Sequence, residues 1–173
     1  MTIPAASDAG TDLLAIYLND HLAGATAGLE LFTRAAKSQD GEHADPALAD
    51  LAQQVEEDRG SLTEIMAALG VSIDHSKATL GWLAEKAGRL KPNGHVFSRS
   101  PLSDVLELET MLLGVKGKAV CWRTLRALAE TDARLRTEDL DVLLERAETQ
   151  GAVLERMRLA ASIRVFSSTK PSS

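Results

Sequence analysis

Residues 45–70 read DPALADLAQQVEEDRGSLTEIMAALG, and this stretch decides the fold. Asp45 is a short side-chain acceptor followed by Pro46, the order found where a helix starts, because proline at the first helical position forfeits only an N–H that has no partner there. Leu48, Leu51, Val55, Leu62, Ile65, Met66 and Leu69 then recur at spacings of three and four, which places them on one helical face. Gly70 is suited to end the run. A helix over 46–69 follows.

The same signals recur on both sides. Thr11 or Asp12 can cap a helix over 12–37, which Ser38-Gln39-Asp40-Gly41 interrupts. Ser103 caps a third long helix over 104–130, and Thr137 a fourth over 138–165. Between the second and third lies a crossover, 71–102, with a short helix over 77–90 that carries Leu80, Trp82 and Leu83, then the turn signal Lys91-Pro92-Asn93-Gly94. Residues 1–10 are expected to be a flexible N-terminus, 11–166 a single bundle domain and 167–173 a disordered tail. Short links make antiparallel neighbours, and the crossover is long enough to run the length of a bundle. The expected fold class is therefore all-α: a four-helix bundle of two antiparallel hairpins joined by one long crossover containing a short helix.

Composition agrees with one such domain. A chain of 173 residues can bury a core without disulfides or metals. Aromatics are only 3%, so aliphatic side chains must fill that core, and the abundance of alanine and leucine favours helix over strand. The net charge of −6 repels nucleic-acid phosphate and anionic membrane, and neither is expected as a partner. Cys121 is the single cysteine, which excludes an internal disulfide and suits a reducing compartment. Met1 to Gly10 has no basic stretch followed by an apolar one, and no run approaches the roughly 18–20 apolar residues of a membrane helix. A cytoplasmic protein is expected.

Tyr17-Leu18-Asn19-Asp20-His21, Val55-Glu56-Glu57-Asp58-Arg59, Glu107-Leu108-Glu109 and Glu145-Arg146-Ala147-Glu148 put carboxylates on all four long helices. With the helix order and the crossover, these segments make the chain resemble the ferritin-like superfamily along nearly its whole length. Its di-iron members carry a Glu and a His three residues later on each of two helices, plus one Glu from each of the others. Here Glu56 is followed at that spacing by Arg59, Glu145 by Glu148 and Glu148 by Gly151, and Glu-x-x-His occurs nowhere in the chain. The resemblance implies the architecture and a degenerate member that has lost the metal site; oxidase, ferroxidase or iron-storage activity does not transfer.

Periodicity then asks which polar residues share the apolar faces. His21 lies near the centre of the first stripe (Leu14, Tyr17, Leu18, Ala25, Gly28, Leu29, Phe32), and Asp58 and Arg59 flank the second. On helix three, Val105, Leu108, Leu112, Val115, Ala119 and Trp122 form a stripe with Glu109 and Lys116 on one flank. Gln150 and Arg158 interrupt the stripe of helix four. Removing one partner of a buried ion pair costs about 3–5 kcal/mol, so the expectation is a mutually neutralising network of His21, Asp58, Glu109, Lys116, Gln150 and Arg158. The alternatives are a metal or small-ligand site of unusual donors, or side chains that reach solvent at the bundle edge. Gly24-x-x-x-Gly28 is expected to permit tight helix packing, Trp82 and Trp122 to be core or subunit-contact residues, and Cys121 a buried small hydrophobe. His43, His75 and His95 fit no zinc spacing and are expected in solvent.

No Gly-rich phosphate loop or nucleophile elbow is present. The functional expectation is a non-catalytic scaffold or interaction protein without a cofactor, and a homodimer because helix three is apolar on more than one face. The alternatives are an iron- or manganese-dependent oxidoreductase with non-standard ligands near His21, Asp58 and Glu109, and a small-ligand-binding bundle beside Gly24 and Gly28.

Overall fold

The computed structural model describes residues 6–38, 46–74 and 101–167. Four helices account for most of them: α1 (Ala6–Ser38), α2 (Pro46–Ala68), α3 (Pro101–Leu128) and α4 (Thr137–Ser167). No strand occurs among the described residues. The expected short helix over 77–90, Trp82, His43, His75 and His95 lie outside them.

The boundaries follow the local chemistry, with two differences. α1 begins at Ala6, ahead of the expected cap at Thr11 or Asp12, because no proline lies between Ala6 and Thr11 to stop the helix growing upstream. α3 begins at Pro101, ahead of Ser103, because proline is tolerated in a first turn. At the end of α2, Gly70 adopts φ +73°, its N–H donates to Ala67 O at 3.0 Å and the Val71 N–H donates to Met66 O at 2.8 Å. That pair of bonds is a Schellman stop, completed by burial of Val71 beside Met66.

The helices enclose one aliphatic core. Leu18, Met66, Met111, Trp122, Leu125, Leu140 and Leu154 are each at most 2% exposed, so every helix contributes to it. Among the described residues α3 packs most extensively on α4, α1 packs on α2 and less on α3, and α2 touches α4 least. Around the bundle the order is therefore α1, α2, α4, α3. Polar clasps fix the ends. Asn19 on α1 donates to Ser72 O at 3.0 Å and accepts from the Asp74 N–H at 2.7 Å, which holds the chain leaving α2. Arg134, between α3 and α4, donates from Nη1 to Leu69 O at 3.0 Å, taking up a carbonyl that the end of α2 leaves free. Among the described residues no helix is long and apolar enough to cross a membrane.

Candidate functional site

Asp58 is the one carboxylate among the described residues that is fully buried, at 1% exposure. It reaches the interior because it continues the α2 series Leu51, Val55, Asp58, Leu62, all of which are buried. An ionised carboxylate in that position needs compensating charge and hydrogen bonds. It receives them from two other helices. Lys118 Nζ on α3 donates to Asp58 Oδ2, and Arg146 Nη2 on α4 lies against Oδ1 as an ion pair without the alignment of a hydrogen bond.

Gln150 on α4 completes the arrangement. Its Oε1 accepts from Lys118 Nζ at 2.6 Å, and its Nε2 donates to Asp58 Oδ2 at 3.0 Å and to Gln54 Oε1 at 3.1 Å. The amide orientation follows from charge: the reverse would turn its oxygen toward a carboxylate and its NH₂ toward an ammonium. At the rim, Arg146 Nη1 meets Glu57 Oε2 at 3.3 Å. Two cations thus face one buried and one exposed carboxylate, and the cluster is neutral. Burial pushes the Lys118 ammonium below its ordinary pKa, Asp58 opposes that, and Arg146 adds to it. Because both oxygens of Asp58 are engaged by cations, its carboxylate is neither a free base nor an open ligand for a divalent metal.

Two members of the expected network, Asp58 and Gln150, meet in this cluster; four do not. Lys116 is exposed and lies along the outer edge of α4 beside Gly151, and Lys118 takes the interior place: residues two apart on a helix differ by roughly 200°, so the two lysines face nearly opposite ways. Glu109 and Arg158 pair with each other at 3.6 Å at the α3–α4 edge, where Glu109 is 44% exposed. Arg158 also holds Glu155 through Nε and Nη2, both at 2.8 Å, which keeps the Glu155 carboxyl below its usual range. His21 packs edge-on against the Tyr17 ring, centroids 4.5 Å apart, and is half-buried. Burial lowers its pKa, with Asp20 acting the other way.

Periodicity taken on the other flank of α3 would have found Lys118, since Met111, Val115, Lys118, Trp122 and Leu125 run at spacings of four, three, four and three. Arg146 likewise sits between Leu143 and Gln150 on α4. The members of the cluster that the expected network leaves out, Lys118 and Arg146 against Asp58 and Gln54 against Gln150, all have long side chains that reach inward from partly exposed positions.

Cys121 offers no ready nucleophile. It is buried, touches Tyr17, and has its thiol pKa pushed up to about 12 by desolvation. The Tyr17 hydroxyl bonds Thr124 Oγ1 at 3.2 Å, and Thr124 in turn donates to Val120 O at 3.1 Å. Trp122 is a core residue, 1% exposed, with its indole N–H unpaired. The tight packing expected at Gly24 and Gly28 is not found: a Cβ at either would meet nothing within 4 Å. An open groove is lined instead by Leu29, Glu30, Thr33, Arg34 and Lys37 of α1, and it shares no residue with the Asp58 cluster. Among the described residues no group of three or more His, Cys, Asp and Glu side chains is placed to hold a metal ion.

No family model, curated protein or solved structure matches the chain.

Proposed function

We propose that the protein is a non-catalytic helical scaffold or interaction protein, built as a ferritin-like bundle whose metal-binding interior has been replaced by an internal ion cluster. The observation that carries this reading is the saturation of Asp58. Its two oxygens meet Lys118 and Arg146, so the buried carboxylate of α2 is held by side-chain cations. The architecture is supported by cross-helix pairs. From Arg126–Asp141 through Lys118–Gln150 to Glu109–Arg158, residue numbers fall along α3 as they rise along α4, the order of an antiparallel hairpin. Asp58–Gln150 and Leu69–Arg134 have the same sense between α2 and the chain around α4. A crossover over 71–102 is the length such a topology needs.

Elemental analysis of protein from cells grown with iron and manganese tests the proposal, together with melting in the presence of each metal. The expected result is sub-stoichiometric metal and an unchanged melting temperature. One bound iron or manganese per chain with a raised melting temperature would favour the oxidoreductase alternative and overturn the scaffold reading.

A further inference from the structure

α3 is buried toward α4 on one side and toward α1 on the other, yet its outermost face is apolar. Leu106, Leu113 and Val120 recur every seven residues and are 38%, 72% and 51% exposed. A stripe of period seven is the pattern by which one helix seats along another. Glu109 and Lys116 are also seven apart, on the flank nearest α4, where Glu109 meets Arg158 and Lys116 lies beside Gly151.

We propose that this face is a self-association surface, occupied by a second copy of the chain with the two α3 helices antiparallel about a two-fold axis at Leu113. The proposal deepens the scaffold reading by naming its partner, and two relationships support the choice of occupant. The midpoint of Leu106 and Val120 is Leu113, so a two-fold there places each against the other's counterpart. An antiparallel pair also brings the same flank of both helices face to face, so Glu109 of one copy meets Lys116 of the other twice over, about nearly the same midpoint. The surface is complementary to itself in both charge and apolar pattern, as an isologous contact requires. Exposed apolar residues also occur on the neighbouring helices, Leu13 one turn from Tyr17, which bonds Thr124, and Leu159 next to Arg158, which pairs with Glu109.

Light scattering on the full chain across the micromolar range tests this. The unmodified chain should run at twice the monomer mass. Leu113→Glu should halve that mass while leaving helical circular dichroism intact, since the position is exposed. Glu109→Lys and Lys116→Glu should each weaken self-association at low salt, and a mixture of the two single variants should recover dimers, because unlike charges then face each other across the contact. A monomeric unmodified chain, a Leu113→Glu variant that stays dimeric, or a mixture that associates no better than either variant alone would each overturn the pairing. None of these outcomes bears on metal content, so failure here is distinct from failure of the scaffold reading.

Discussion

Gln150 on α4 stands between Asp58 and Lys118, donating to the carboxylate at 3.0 Å and accepting from the ammonium at 2.6 Å. One neutral amide therefore bridges the two charged groups contributed by α2 and α3. The helices α2 and α3 lie across the bundle from one another, and the long Lys118 side chain and this amide span the distance that their backbones do not.

Loss of the central carboxylate should be the most damaging change to the cluster. Asp58→Ala leaves Lys118 and Arg146 without their buried counter-ion, and the expected loss is about 3–5 kcal/mol in urea unfolding. Asp58→Leu combined with Lys118→Met should recover part of it, because an apolar pair leaves fewer uncompensated charges. A loss under about 0.5 kcal/mol for Asp58→Ala, the range of an ordinary surface change, would show that the carboxylate is not held as described.

Gln150→Leu keeps the volume and removes three hydrogen bonds. The expected destabilisation is about 1–3 kcal/mol, the cost of leaving buried polar groups short of partners. Coupling with Asp58→Ala in a double-mutant cycle should be clearly non-additive, since both residues bind the same ammonium.

The half-buried His21 gives stability an acid limb. Burial holds its pKa below the ordinary value of about 6.5. As pH falls, the unfolded chain takes up the proton first, so this contribution is full above about 6.5 and is lost as pH drops toward the folded-state value. His21→Gln should flatten the dependence of unfolding free energy on pH in that window relative to the unmodified chain. Identical slopes for the two proteins would contradict it.

Cys121 should resist alkylation at pH 8 in the folded protein and react promptly after denaturation, because only the thiolate attacks and burial keeps the thiol protonated to about pH 12. Mass spectrometry after iodoacetamide treatment reads the outcome directly. Rapid native labelling would mean that the Tyr17–Cys121 contact opens easily.

Gly70→Ala should cost about 1–2 kcal/mol, the penalty for a side chain in the left-handed region. A Cβ there would meet nothing within 4 Å, so the loss comes from backbone strain rather than a clash. Gly70→Asn should lose less, since asparagine tolerates that conformation. Thermal melts of the two variants rank them.

Helix identity is legible in the residues themselves because it rests on short-range rules. The run from Pro46 to Gly70 carries its own start, its apolar period and its stop, and the fold keeps all three. Asp58 and Gln150 are legible too, since each falls within a run of buried apolar neighbours. Lys118 and Arg146 are not: each lies at the margin of a stripe, where a shift of one or two residues in the assumed face exchanges interior for solvent. Lys116 and Lys118 are that exchange, and α3 hides it because apolar residues lie on its outer face as well as on its core face.

The order of residues is enough to dictate the set of rods: four amphipathic helices, their caps and breaks, and the absence of a Glu-x-x-His pair. Which charges share the interior is instead a matter of packing. Periodicity records the angle of a side chain about its own axis and carries no information on how far a neighbouring helix has turned about its own. The joining of Asp58 to Lys118 and Arg146, and the placing of Glu109 with Arg158 at the edge, depend on that relative rotation.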